Sequence, residues 1–390
     1  MSKLVSNPSK RVTSIPDYPL AVLGKKITGM KAKGIDVIRL DMGSPDLPPA
    51  PHIIEALVKS AQQKNTHGYG GYFGTPAMQK AIATYYKNRF GVTLEDNELL
   101  PLIGSKEGLA NMHLAWLDPG DISIIPDPCY ITHAMGPLLA NGSTVSFPLD
   151  PQNNWYPDFS ALSDDVLKKA RLMWLNYPNN PSGAIADLAF FEDVIAFCRK
   201  HDILFCHDNA YADITYDGYK AVSPLQIDGA KEVVIEFNSM SKTYNLAGWR
   251  VGMAVGHAGA VKALATIKTQ MDSGIAKPVQ AMAIAALTGD QTWLVERNAV
   301  YQERRDLVVN TLRDIGINVE SPKGAIYIWF KVPNGGDDVE FHEKALSEGH
   351  VSISPGSFYG EQGRGWMRVS LVLPVEQIKE AMARLKKLGL

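Results

Sequence analysis

The feature that most constrains the fold is the stretch between residues 99 and 256, where short apolar or β-branched runs alternate with longer helix-like stretches. Seven runs read as strands: "LLPLI", "ISIIP", "STVSFPL", "RLMWLN", "ILFCHD", "VVIEFN" and "VGMAVG". Such alternation is typical of parallel strands joined by crossover helices. The sequence therefore predicts an α/β fold with a mostly parallel seven-stranded sheet flanked by helices.

The length predicts two domains. The 390 residues exceed the size, about 250 to 300 residues, at which a single core stops growing. After about residue 280 the pattern changes to two helical stretches, two strand-like runs and a final amphipathic helix, which indicates a smaller α+β domain. We expect an N-terminal arm and part of the small domain in 1–45, the large domain in 46–280 and the small C-terminal domain in 281–390.

Charge and composition restrict the partners. The 39 basic and 41 acidic side chains leave a formal net charge of −2, so a broad field that would attract nucleic acid or an anionic membrane is not expected. The N-terminal residues lack an apolar signal core and no run of about 18 apolar residues occurs. We expect a cytoplasmic protein with a small-molecule partner.

Metal binding is not predicted either. The three cysteines do not have metal-ligand spacing, and they are too few for a disulfide framework. In "FHEKALSEGH" the second histidine is not at the four-residue helical spacing of a zinc-binding helix. We therefore expect His342 and His350 to be surface residues.

Clusters of polar residues, glycine or proline follow five of the predicted strands: "GSKEG", "PDPCY", "YPNNPSG", "DNAY" and "SMSK". In open α/β sheets the carboxyl ends of the strands form the ligand-binding edge, because helix N-termini and loop amides offer unpaired donors there. The five segments are therefore predicted to meet at one site.

The last of these segments contains Lys242, and Arg250 follows eight positions later. Most lysines are simply solvated, but desolvation or a nearby cation lowers the pKa of a lysine and makes it an imine-forming nucleophile. Such a lysine can hold pyridoxal phosphate as a Schiff base. The protein must then also supply a phosphate cup, an acid for the pyridine nitrogen and a planar partner for the ring.

The sequence offers candidates for each requirement. Hydroxyls, helix-opening amides and a guanidinium would surround the phosphate: Ser105, Lys106, Ser239, Ser241 and Arg250. Asp208 ends an apolar strand, where an unpaired carboxylate is costly to bury, and it is the candidate for the ring nitrogen. Tyr211 and Asn180 would bind the phenolic oxygen, and Tyr130 would stack on the ring. Taken singly, these residues also fit helix caps, a turn or a core aromatic.

Four segments in this order, "NYPNNPSG", "HDNAY", "SMSKTYNLAGWR" and "RVSLVLP", resemble the class I/II aminotransferases, which are pyridoxal-phosphate enzymes of fold type I. The resemblance extends from "MGSPDLP" to "MRVSLV". It implies that Lys242 is the Schiff-base lysine, which also moves a proton during the reaction, and that the candidates above contact the cofactor. It further implies that Arg368 grips the substrate α-carboxylate, with Gly43 and Asn180 beside it.

The resemblance also implies a homodimer with shared active sites. Tyr69 in "HGYGGYFG" matches a family tyrosine that reaches the phosphate of the neighbouring subunit. Tyr72 lies in the same segment and is the alternative match.

Within the family, "CHDNAYADITYDGY" and "IEFNSMSKTYNLAGWR" are most similar to the LL-diaminopimelate aminotransferases of lysine biosynthesis. This implies a ping-pong transfer between an amino-acid donor and a 2-oxo acid acceptor, 2-oxoglutarate. The segments "CYITHAMG" and "SGIAKPVQ" depart from the expected pattern near the substrate mouth, so alanine, aspartate and aromatic amino acids stay open as donors.

Other functions on the same site also stay open. A β-lyase, racemase or decarboxylase would keep the cofactor and change the reaction. A regulator that binds pyridoxal phosphate without turnover would need an added DNA-binding module, for which the chain offers no basic patch. A nicotinamide dehydrogenase is disfavoured because "GYGGYFG" follows no apolar strand and lacks the fingerprint spacing.

Overall fold

The computed structural model describes residues 7–388. Its strands are β1 (Ile38–Arg39), β2 (Leu99–Leu102), β3 (Ile122–Asp127), β4 (Ser143–Pro148), β5 (Ala170–Asn176), β6 (Leu204–Asp208), β7 (Val234–Ser239), β8 (Gly252–Gly256), β9 (Tyr327–Lys331), β10 (Val351–Ser352), β11 (Ser354–Pro355) and β12 (Trp366–Ser370).

The α-helices are α1 (Lys10–Ser14), α2 (Pro19–Ala32), α3 (Pro51–Ala61), α4 (Pro76–Phe90), α5 (Ser105–Trp116), α6 (Ile131–Leu139), α7 (Asp164–Lys169), α8 (Leu188–Lys200), α9 (Met240–Thr243), α10 (Ala258–Met271), α11 (Lys277–Thr288), α12 (Trp293–Asp314), α13 (Asp338–Ser347) and α14 (Val375–Lys387). Within the described residues, none of these helices combines the length and the apolar composition needed to cross a bilayer.

The large sheet contains all seven predicted strands, in the spatial order β2-β8-β7-β6-β5-β3-β4. The strands β3 to β7 pair in parallel, whereas β8 is antiparallel to both of its neighbours. The strands β6, β7 and β8 are buried at every position because helices cover both faces of the sheet, which explains their nearly continuous apolar composition. The predicted α/β class and mostly parallel sheet are confirmed.

The reversed direction of β8 decides where Arg250 lies. Gly252, at the start of β8, pairs with Ser239 at the end of β7 and with Leu102 at the end of β2. The amino end of β8 therefore lies at the same sheet edge as the carboxyl ends of its neighbours. Arg250, two residues before this strand, reaches the edge to which the five polar segments belong.

A second sheet has the order β11-β12-β9 and is antiparallel, while β1 and β10 form a short parallel pair. A separate buried cluster joins Ile38 and Leu40 of the N-terminal region to residues of α12, α14 and the second sheet. The helix α11 does not contribute to this cluster and packs against α3 and α4. The exact domain boundaries remain predictions.

The expectation that His342 lies at the surface is wrong. His342 is 4% exposed, and its Nδ1 lies 2.6 Å from the carbonyl oxygen of Ile353. The helix α13 turns this position towards β11, so the ring is buried and burial lowers its pKa. His350 is partly buried.

Candidate active site

One cavity of about 510 Å³ lies at the carboxyl edge of the large sheet. It is lined by every residue predicted for the site except Tyr69: Gly43, Ser105, Lys106, Tyr130, Asn180, Asp208, Tyr211, Ser239, Ser241, Lys242, Arg250 and Arg368. Most of these residues end a strand or lie within four residues after one, so the sheet edge brings together segments that are far apart in the chain. The individual roles predicted for them stay predictions.

Asn176, which the sequence analysis missed, connects two of the predicted segments. Its Nδ2 donates to the carbonyl oxygen of Asp208 at 2.6 Å, and its Oδ1 accepts from the amide of Asn180 at 2.7 Å. Asn176 is the last residue of β5, so the rule that selected the other strand ends also points to it. Its side chain fixes the position of Asn180 relative to Asp208.

The start of α5 and the guanidinium of Arg250 form a tightly packed group of donors. Gly104 has a left-handed φ of 76°, and a Cβ atom there would overlap the guanidinium of Arg250. A Cβ atom on Gly252 would overlap the amide nitrogen of Ser105. Arg250 Nη1 donates to the carbonyl oxygen of Ala247 at 2.8 Å and lies 3.4 Å from the hydroxyl oxygen of Ser241. The geometry suits an anion, because a helix N-terminus and a guanidinium face the same space.

Lys242 Nζ donates to the carbonyl oxygen of Gly43. Burial lowers the pKa of Lys242, since the ammonium form loses hydration there. The nearby Tyr327 opposes this shift, whereas the positive charge of Arg368 adds to it. The amine therefore has a larger neutral fraction near neutral pH than an ordinary lysine.

Asp208 has one oxygen that is paired and one that is not. Its Oδ2 lies 3.3 Å from His133 Nε2, while the buried Oδ1 has no hydrogen-bond partner in the described part of the chain. The ring of His133 stacks on Trp174, which stacks in turn on His113. Burial lowers the pKa of His113 to about 3, so this ring is neutral. Oδ1 is thus available to accept a hydrogen bond from a bound group.

Arg368 is 2% exposed and lines the same cavity as the donors near Arg250. Its Nη1 donates to Asn180 Oδ1 at 2.9 Å, and its Nη2 donates to the carbonyl oxygen of Asp41 at 2.8 Å. The guanidinium carbon lies 4.0 Å from the ring centre of Tyr327 and 4.7 Å from that of Tyr359. Aromatic rings and neutral acceptors hold this charge, an arrangement that favours binding of a carboxylate.

The hydroxyl oxygens of Tyr211 and Tyr327 lie 3.1 Å apart. Burial raises the pKa of Tyr211, with a further contribution from Tyr327, so Tyr211 stays a neutral phenol that can donate. Tyr18, Tyr327 and Tyr359 line the cavity and were missed by sequence reasoning. Tyr18 belongs to the N-terminal arm, Tyr327 is the first residue of β9, and Tyr359 ends a short 3₁₀ turn, and a tyrosine at such positions gives no local signal of a site.

Comparison with known proteins identifies the family. The family described as "Aminotransferase class I and II" matches residues 35–385. The chain belongs to this aminotransferase family. The LL-diaminopimelate aminotransferase of Dehalococcoides mccartyi is 47% identical over 378 residues, and that of Moorella thermoacetica is 45% identical over 380 residues; each match covers 97% of both chains. BacF from Bacillus subtilis has a solved apo structure with a TM-score of 0.95 and 36% identity over 99% of each chain.

Class I and II aminotransferases use pyridoxal 5′-phosphate (PLP), and this aminotransferase has residues that fit the cofactor. The unpaired Oδ1 of Asp208 suits the protonated ring nitrogen. The lowered pKa of Lys242 suits a covalent attachment to the cofactor's carbonyl carbon. The donors around Arg250 suit the phosphate group. The structure and the family thus agree on PLP.

Tyr69 of the aminotransferase does not line the cavity of its own chain. Tyr69 is 85% exposed, and Tyr72 in the same segment is 46% exposed. The predicted contact of Tyr69 with a neighbouring subunit stays a prediction.

Proposed function

We propose that the chain transfers an amino group from LL-diaminopimelate to 2-oxoglutarate, as an enzyme of lysine biosynthesis. One observation carries the transamination chemistry: the amine of Lys242, the unpaired Oδ1 of Asp208 and the guanidinium of Arg368 all face one cavity. The donor is inferred from relatives named LL-diaminopimelate aminotransferase, which are 41% to 47% identical over nearly the whole chain.

The residues around the cavity would divide the binding of PLP between them. The phosphate would meet the group Ser105, Lys106, Ser239, Ser241 and Arg250. Asp208 would accept a hydrogen bond from the ring nitrogen, Tyr211 and Asn180 would bind the phenolic oxygen, and Tyr130 would stack on the ring. Bound PLP supplies an electron sink for the negative charge that forms when the substrate α-carbon loses its proton.

Lys242 would hold the cofactor and then move the proton. Its Nζ would accept the proton from the substrate α-carbon, a task that suits an amine whose pKa is lowered. Asp208 would keep the ring nitrogen protonated, and His133, whose Nε2 lies 3.3 Å from Asp208 Oδ2, would hold this carboxylate in position. The amino acid and the 2-oxo acid would use the same carboxylate site, so they would bind in turn.

Arg368 would orient both substrates, because the donor and the acceptor each carry an α-carboxylate. A guanidinium makes two parallel hydrogen bonds to a carboxylate, whereas an ammonium is a single point charge. Gly43 would lie beside the same carboxylate.

The change Arg368→Lys is expected to raise the KM for the amino acid and for the 2-oxo acid together, by roughly 10- to 100-fold, since one bidentate pair is worth about 1.5 to 3 kcal/mol. Steady-state kinetics with each substrate varied in turn measures the effect. The affinity for PLP should stay within about twofold of wild type. A loss of PLP affinity with unchanged KM values would move Arg368 out of the substrate site.

We also propose that the enzyme is a homodimer in which Tyr69 contacts the phosphate site of the partner. Support comes from the exposure of Tyr69 and from the other large apolar side chains exposed in the same segment, Tyr72 and Phe73.

A cytoplasmic location is also proposed. Its support is that the three cysteines are buried free thiols, which fit a reducing compartment.

A panel of amino donors with 2-oxoglutarate tests the donor. LL-diaminopimelate, alanine, aspartate and an aromatic amino acid are compared by kcat/KM, with glutamate as the measured product. The proposal predicts the highest value for LL-diaminopimelate. A higher value for another member of the panel would replace the donor and leave transamination intact.

The same panel separates amino transfer from a β-lyase. A transaminase forms glutamate and the new 2-oxo acid in equal amounts and stops when 2-oxoglutarate is omitted. Ammonia release that continues without 2-oxoglutarate would favour the lyase.

A further inference from the structure

Arg297 of α12 contacts the backbone of two segments of the active site at once. Its Nη1 donates to the carbonyl oxygen of Lys242 at 3.0 Å and also to that of Thr243. Its Nη2 donates to the carbonyl oxygen of Asp213 at 2.6 Å. The first segment carries the amine of the site, and the second directly follows Asp208.

The guanidinium of Arg297 is held by neutral acceptors. The residue is 4% exposed, its Nε donates to Asn298 Oδ1 at 3.0 Å, and no ion pair with a carboxylate is formed within residues 7–388. Arg304 and Arg305 on the same helix are equally buried, but they pair with Asp46 and Asp217. Burying a guanidinium without a carboxylate partner costs free energy. Arg304 and Arg305 have such partners, so only the burial of Arg297 among backbone carbonyl groups needs a further explanation.

The acceptors are carbonyl groups at the ends of short segments. The helix α9 has only four residues, so its last carbonyl groups have no partner within the helix. Arg297 supplies donors to two of them. The carbonyl oxygen of Asp213 also accepts from Asn298 Nδ2 at 3.0 Å, and the Asp213 side chain is held by Arg89 at 2.7 Å. Both segments are thus fixed to α12 and to each other.

We propose that Arg297 is a positioning residue for transamination, which ties the backbone of Lys242 to the segment that carries Asp208 and Tyr211. The inference rests on the proposed function, because all three residues would contact PLP in the cavity that they line. The spacing between the two segments then sets where the amine stands relative to the ring. A misplacement of about 1 Å at a reacting centre can lower a rate by about 10²-fold.

The test compares Arg297→Met with Arg305→Met. Arg305 is a matched control: it is 3% exposed, lies on the same helix, and donates to Asp217 at 2.5 Å and to the carbonyl oxygen of Pro322 at 3.1 Å, away from the cavity. Both changes should lower the Tm. Only Arg297→Met should lower kcat, by about 10²-fold, with the KM for the donor changed by less than about threefold.

A second readout does not depend on turnover. Each variant is loaded with PLP, reduced with sodium borohydride and analysed for the fraction of retained PLP that is fixed to Lys242. This fraction should fall in Arg297→Met and stay at the wild-type value in Arg305→Met. If Arg297→Met does not fold, Arg297→Lys replaces it, with a loss of kcat of about tenfold because an ammonium cannot span both carbonyl groups.

The positioning role would be overturned if the two methionine variants had equal kcat values and equal fractions of PLP fixed to Lys242. This holds whether both variants keep the wild-type values or both lose kcat and the fixed fraction to the same extent. Failure of the proposed function looks different. Wild-type enzyme without amino transfer from any donor would end that proposal, while the borohydride readout would still decide the role of Arg297.

Discussion

Replacing Lys242 with alanine is expected to lower the rate of amino transfer by about 10⁴-fold or more, because the variant loses both the covalent attachment of PLP and the base that moves the α-proton. The phosphate group would still bind near Arg250, so PLP should be retained without being fixed to the protein. The measurement is glutamate formation in single-turnover and steady-state assays, together with the visible spectrum of the protein after gel filtration.

The matched control for this prediction is Lys262→Ala, which removes an exposed lysine of α10. Its rate and spectrum should equal those of wild type. A Lys242→Ala enzyme with an unchanged spectrum and a rate within about tenfold of wild type would mean that another amine performs both tasks.

Replacing Asp208 with alanine is the second change with a very large expected effect. Removing one member of a buried charged pair costs roughly 3 to 5 kcal/mol, which corresponds to about 10²- to 10⁴-fold. This loss should be divided between weaker binding of PLP and slower removal of the α-proton, since the ring nitrogen would no longer be kept protonated. Titration of the apoenzyme with PLP and the deuterium isotope effect on donor turnover measure the two parts.

Asp338→Ala serves as the control for Asp208→Ala. Asp338 is also buried and accepts hydrogen bonds from the amides of Ser357 at 2.8 Å and Gly365 at 3.1 Å, but its side chain does not line the cavity. We expect a lower Tm for this variant and an unchanged affinity for PLP. Wild-type affinity and turnover in Asp208→Ala would show that a different acid holds the ring nitrogen.

The sequence predicted the large sheet and most of the cavity for one physical reason. A parallel sheet places the carboxyl ends of its strands at one common edge. The polar residues after "RLMWLN" and "ILFCHD" therefore lie close together, however far apart they are in the chain. Asp208 and Asn180 are therefore found by reading where apolar runs stop. The same rule would have found Asn176, since it ends β5.

Other parts of the site could not be read in this way. An apolar run has no direction, so the antiparallel β8, which brings Arg250 to the edge, is not visible in the sequence. Tyr18 and Tyr327 reach the cavity through tertiary packing of segments that do not belong to the large sheet. The burial of His342 was missed because the position of α13 against β11 depends on long-range packing.

We propose that a single amine, that of Lys242, carries the cofactor. The most direct measurement loads the protein with PLP, reduces it with sodium borohydride, digests it and locates the added mass by peptide sequencing in a mass spectrometer. We expect one phosphopyridoxyl group per chain, on the peptide that contains Lys242. An added group on a different lysine, such as Lys106, or no stable addition at all, would contradict it.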